Sequence, residues 1–222
     1  LMAAKPAGDM EQAIRAARKI MNDYAPQAEM IAEHNLTRIL KAFRAERVST
    51  QCFCATTGYG YNDMGRDKLE QLYARIFATE SALLRQQIVS GSHAIALAVA
   101  GNLLPGDELL LLGRPYDTLQ TVIGMNHPAP GSLSESGVRW RVHEPDFAAP
   151  DIAALTADLR PETKMVLIQR SRGYSSRRSL PVALIGELSA AIKAARPDII
   201  VFTDNCYGEM VEEQEPSELG VD

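Results

Sequence analysis

The sequence is poor in several features that would assign it at once. Only three of its 222 residues are cysteine, and two of these stand together in Cys52-Phe-Cys54. An odd, close-spaced set makes no disulfide framework, so the chain is expected to fold on its core in a reducing compartment, the cytoplasm. Cys-x-Cys without a second pair, with histidines at 34, 93, 127 and 143 that lack helical ligand spacing, points away from a structural zinc site. No run of about 18 apolar residues is present, and LMAAKPAGDM at the start has no long apolar stretch, so neither a membrane span nor a secretory leader is visible. Positive charge is also short: 23 Lys and Arg against 28 Asp and Glu leave a net charge of −5. That balance argues against nucleic acid or an anionic membrane as the main partner.

What the chain does have is apolar material, 46% of residues, enough for one large α/β domain. Residues 9–24 place Met10, Ile14, Ala17, Met21 and Tyr24 on one helical face, with Asp9 as a cap; a second helix over about 27–45 carries Ile31, Ile39, Leu40 and Phe43. Together they read as an N-terminal helical arm over residues 1–48. CFCATTGYGYNDMGRD has no period and three glycines, and predicts a long loop. From Leu69 onward helices (LEQLYARIFA, SGSHAIALAVAGNL, YDTLQTVIGM, DIAALTADL, PVALIGELSAAIKAA) alternate with short apolar strands (GDELLLLG, GVRWRVH, TKMVLIQ, DIIVFTD). This alternation predicts an α/β three-layer sandwich, a mostly parallel sheet covered on both faces. Ligands in such sheets collect at the carboxyl ends of strands. SGSH at 90–93, GRPYD at 113–117, QRSRGY at 169–174 and DNCY at 204–207 are therefore expected along one edge.

Each segment suggests a chemistry and a plainer alternative. Small residues at Gly91 and Ser92 leave helix-start N–H groups open to a phosphate, unless Ser90 merely caps the helix. His93 beside Ser92 is no catalytic pair on adjacency alone, and the Gly-x-Ser-x-Gly elbow is absent. GYGYNDMG fails both the dinucleotide fingerprint, which needs glycine at Asp63, and the P-loop, where Arg66 and Asp67 follow Gly65. QRSRGYSSRRS packs four arginines into nine residues, either a site for phosphate or carboxylate or a solvated loop paired to nearby acids. Asp204, a carboxylate behind an apolar run, is costly unless it meets a cation or a strong donor, and a protonated pyridine nitrogen is one such cation. Cys206 has no identifiable base partner, which leaves it at most a packing or hydrogen-bond role.

Together the segments from TTGYGYNDMG to GRPYDTLQTVIG, with IQRSRGY and TDNCYGEMVEE, resemble the Cys/Met-metabolism superfamily of enzymes dependent on pyridoxal 5'-phosphate (PLP). The closest resemblance is to its aluminium-resistance or methionine γ-lyase-like branch. It implies the large domain of the fold type I enzymes over residues 49–222. It also implies a carbon–sulfur lyase acting on a sulfur-containing amino acid by β- or γ-elimination, similar to cystathionine β-lyase or methionine γ-lyase. Gly91 and Ser92 would offer N–H groups to the cofactor phosphate, Tyr116 would stack on the ring, and Asp204 would hold the pyridinium nitrogen. Tyr61 would reach the neighbouring subunit's phosphate site, which implies a homodimer or homotetramer with shared active sites. Asp63 stands where the superfamily has an arginine, and Arg66 is the candidate substitute. Gln169 and Arg170, in place of a Ser-Pro-x-Asn-Pro segment, are candidate cofactor or substrate contacts.

The resemblance also implies a lysine two to three dozen residues after the aspartate, joined to PLP. The six lysines here, at 5, 19, 41, 68, 164 and 193, do not suit, and the sequence stops eighteen residues after Asp204, where GVD matches the lead-in to the lysine segment. The chain is accordingly expected to be the front of a longer enzyme without its small C-terminal domain. The alternative is a truncated, non-catalytic relative serving as a scaffold or assembly subunit.

Overall fold

A computed structural model describes residues 7–59, 61, 63–127 and 129–222; Lys5 and the loop residues Gly60 and Asn62 lie outside them. The chain begins with α1 (Ala7–Ala45), one helix of 39 residues where the pattern predicts two. Pro26, which falls between the two expected helices, sits inside it on an exposed face. A proline removes one helical N–H, at a cost of about 3 kcal/mol, but Ala, Glu, Met, Lys and Arg on both sides favour continuing the helix. Residues 8–30 of α1 are exposed. Farther along, Asn35 and Ala42 are buried against the rest of the chain, and the Asn35 amide donates to the carbonyls of Met210 and Glu212, each at 3.0 Å.

The glycine segment is shorter as a loop than its composition predicts. A 3₁₀ turn occupies Thr50–Phe53, and α2 (Met64–Ile76) starts at Met64 and not near Leu69. Gly65 explains the difference. A Cβ placed there would lie 2.2 Å from the Cys52 carbonyl oxygen, so the glycine serves close backbone packing within a helix and does not break one.

Beyond α2 the alternation is borne out: α3 (Gly91–Asn102), β1 (Glu108–Leu112), α4 (Asp117–Ile123), β2 (Arg139–His143), α5 (Ile152–Ala157), β3 (Thr163–Gln169), α6 (Val182–Ala195) and β4 (Ile200–Asp204). The four strands are all parallel, in the order β2-β1-β3-β4. Every residue of β1 is buried, as a strand covered on both faces must be.

Strand parity divides the core. Leu109, Leu111, Met165 and Leu167 face α3 and α4 with Ile95, Val99, Leu119 and Ile123. Leu110, Val166, Ile168 and Val201 face α5 and α6 with Leu155, Ile185, Leu188 and Ile192. Fully burying each such side chain contributes about 2 kcal/mol. Among the described residues no helix is long and apolar enough to cross a membrane.

Candidate functional site

Because the sheet is parallel, β1, β3 and β4 all end on one edge, and α3 and α4 begin there. Parity then decides which side chains share a face. Asp204 follows Ile200 and Phe202, which pack on the α3–α4 side, and Gln169 follows Met165 and Leu167 on that same side. Gln169 and Asp204 are partners in the β3–β4 register. Arg170 falls one residue out of step. It continues the Val166 and Ile168 series and turns to the other face.

The α3–α4 side gathers Gly91, Ser92, Tyr116 and Asp204. Ser90 does cap α3, its hydroxyl accepting from the His93 N–H at 3.1 Å. The N–H groups of Gly91 and Ser92 nonetheless take no acceptor among the described residues, so the helix start stays open to an anion. A Cβ on Gly91 would find only the Cys206 sulfur, 3.7 Å away. Tyr116 immediately precedes α4 and is half-buried. Burial raises its phenol above the ordinary range; the Ser92 hydroxyl opposes this, while Asp204, Cys206 and Asp117 add to it. Tyr116 is therefore a neutral ring at working pH, suited to stacking and not to acting as a base.

Asp204 is 5% exposed. Its Oδ1 accepts from the Cys206 N–H at 3.1 Å, and among the described residues no Lys or Arg pairs with it. A buried carboxylate without a cation fits a cationic ligand group, and the open N–H groups at the start of α3 fit its phosphate. Burial, then Asp204, pushes the Cys206 thiol up to about 12, which agrees with a packing role and not a nucleophile. The Gln169 amide donates to the Ser171 carbonyl at 3.2 Å, while its Oε1 is buried without a partner. That orphaned acceptor is a second unmet group on the face of Asp204.

Two expected residues lie apart from this cluster. Arg170 is 3% exposed and spent inside the protein: Nη1 donates to Asn205 Oδ1 and to the Gly208 carbonyl, each at 2.7 Å, Nε donates to the Leu180 carbonyl, and Nη2 meets Glu212 at 2.5 Å. It ties the post-β4 turn to α6 and offers nothing to the cleft. Tyr61 is 81% exposed on the loop before α2 and makes no hydrogen bond or ring contact with the cluster. Arg66 pairs with Asp63 at 2.9 Å. Of the other loop arginines, Arg177 stacks over Phe147 at 4.4 Å and donates to the Gln169 carbonyl at 2.7 Å, bracing the loop that covers Gln169.

Residues 10–222 match the methionine gamma-lyase family. The chain belongs to that family. Among its relatives, the uncharacterized protein YnbB of Bacillus subtilis (strain 168) is 44% identical over 88% of this chain and 47% of its own length. The crystal structure of a candidate cystathionine beta-lyase involved in aluminium resistance from Listeria innocua is 42% identical, with a TM-score of 0.89, over 96% of this chain and 53% of that one. A carbon-sulfur lyase involved in aluminium resistance from Clostridium novyi NT is 38% identical, with a TM-score of 0.87, over 96% of this chain and 52% of that one. The chain thus spans about half the length of these methionine gamma-lyase family relatives, and it shares their α/β fold.

Proposed function

We propose that this chain forms the cofactor-binding half of a PLP-dependent carbon–sulfur lyase acting on a sulfur-containing amino acid. The observation that carries the reading is Asp204, buried at a strand end without a cation and facing the open N-terminus of α3. Asp204 would keep a proton on the ring nitrogen, Gly91 and Ser92 would donate N–H groups to the phosphate, and Tyr116 would stack on the ring. Gln169 would meet a donor on the same face. When bound, the pyridinium supplies an electron sink for charge developed at the substrate Cα. The elimination this would serve passes the Cα proton to a base and breaks a carbon–sulfur bond at Cβ or Cγ, the sulfur taking up a proton and leaving as a thiol. Exposed Tyr61 would complete a partner subunit's site in a homodimer or homotetramer, within the cytoplasm.

The second reading is a non-catalytic scaffold, favoured by the lysines. Lys164 lies at the amino end of β3, Lys193 on α6 bonds to the Ile199 carbonyl, and Lys68 pairs with Glu46, all away from Asp204. Titration with PLP, followed by an assay for thiol release from a panel of sulfur amino acids, tests both. Saturable PLP binding that weakens at least tenfold in Asp204→Asn supports the cofactor site, about 1.4 kcal/mol of ion pairing. Thiol release that depends on Asp204 in the full-length protein supports the lyase, whereas cofactor binding there without release leaves the scaffold. No binding at all sinks both the cofactor site and the lyase.

A further inference from the structure

The turn that follows β4 is gripped from several sides. Asp204 Oδ1 accepts from the Cys206 N–H, a local side-chain turn that spans Asn205. The Asn205 amide is held at both ends: its Oδ1 accepts from Arg170 at 2.7 Å and its Nδ2 donates to Glu215 Oε2 at 2.9 Å. Both partners are buried, Glu215 to 1% exposure. Glu215 also accepts from the Met210 N–H at 2.8 Å and lies 3.6 Å from Arg38 of α1. Asn35 of α1 holds the Met210 and Glu212 carbonyls from the same side.

Within this grip Tyr207 and Met210 adopt φ of 68° and 60°. Left-handed backbone at such residues costs roughly 1 kcal/mol or more each and persists only where its surroundings over-determine it.

We propose that Asn205 is a positioning residue for Asp204, and that α1 acts on the site through it. By clamping the backbone between Asp204 and Cys206, Asn205 keeps the Cys206 N–H on Oδ1 and the carboxylate turned to the α3–α4 face. If the clamp opens, the carboxylate rotates and water enters, and a bound pyridinium loses its counter-ion. This inference rests on the cofactor reading above.

The test uses the whole chain with 4′-deoxypyridoxine 5′-phosphate, a PLP analogue that has no carbonyl and so needs no lysine. Ultraviolet absorbance reads the pH at which the bound ring nitrogen loses its proton, and thermal melting is followed in parallel. In the wild-type chain that midpoint lies above the free ligand's. Asn205→Leu lowers it by about one unit, as loss of an opposing charge does. Asn205→Ser, which fits the space but spans only one partner, lowers it less, and Asn35→Ala on α1 moves it in the same direction. All three changes leave the net charge untouched. Should Asn205→Leu fail to fold, the Ser and Asn35→Ala variants decide. Midpoints that stay at the wild-type value while melting temperatures fall overturn the positioning role and leave the cofactor reading standing. A wild-type chain that does not bind the analogue overturns both.

Discussion

At the amino edge of the sheet Glu108 is buried with every oxygen occupied, whereas at the carboxyl edge Asp204 is similarly buried and meets no cation among the described residues. Glu108 accepts from Arg141 at 2.8 and 3.0 Å and from the Thr163 hydroxyl at 2.6 Å, and Arg160 stands 3.5 Å away. Arg141 also reaches Asp158 at 2.5 Å. On the face of Asp204, by contrast, Gln169 Oε1 is buried and unpartnered among the described residues. Burial of charge alone therefore does not separate scaffold from site. What sets the carboxyl edge apart is that Asp204 and the Gln169 acceptor lie on one face beside the open start of α3, where a ligand can meet them.

The largest effect expected from this contrast belongs to the closed network. Glu108→Gln leaves Arg141 short of its main partner and is expected to lower unfolding free energy by about 3 kcal/mol, read from urea denaturation at neutral pH. Burial pushes the Glu108 carboxyl up, but Arg141, Thr163 and Arg160 more than offset it and hold it below the ordinary 4.5. A depressed folded-state value gives stability that is present above 4.5 and lost as pH falls through the lower folded value. The acid limb of the stability curve should therefore flatten in Glu108→Gln. An unchanged limb would assign the acid sensitivity elsewhere.

Next comes the pair that strand parity separates. Arg170→Met, which strips four contacts, three of them to the segment after β4, is expected to cost about 2 kcal/mol of stability. Gln169→Leu, one residue away, removes an orphaned acceptor and is expected to leave stability within about 0.5 kcal/mol while weakening binding of PLP. Equal losses in both variants would break the distinction between the two faces.

The same parity shows what the sequence could disclose. The strand at Thr163–Gln169 and the helix starting at Gly91 are legible because apolar runs and small-residue starts are local signals. So is the gathering of Gly91, Tyr116 and Asp204, since parallel strands must end on one edge. Arg170 carries the same local signal as Gln169, and only the face on which it emerges tells them apart. Pro26 and Gly65 mislead for a related reason: each is a breaker by local propensity, overridden by helix formers on either side or by a carbonyl packed against it. Asn205 and Glu215 are invisible because their partners lie 35 residues back on β3's exit or on α1, at distances in sequence that no pattern links.

The smallest effect is also the most local. Asp204→Asn removes a buried carboxylate that has no cation, so the free protein is expected to gain about 1 kcal/mol, the usual direction when a functional group is neutralised in a strained site. The neighbouring thiol gives an independent reading. Burial and then the Asp204 charge hold Cys206 at about 12, so alkylation near pH 8 should reach exposed Cys54 first and Cys206 last. In Asp204→Asn the hydrogen bond and charge of the carboxylate are lost while burial and Glu209 remain, so Cys206 should react a few-fold faster, as mass spectrometry of the alkylated peptides would show. A stabilised variant with faster Cys206 labelling would mean that the wild-type carboxylate is ionised without a ligand, held at a cost to the fold. An Asn variant that is less stable, with Cys206 unchanged, would mean instead that Asp204 already has its partner inside the protein and belongs with Glu108.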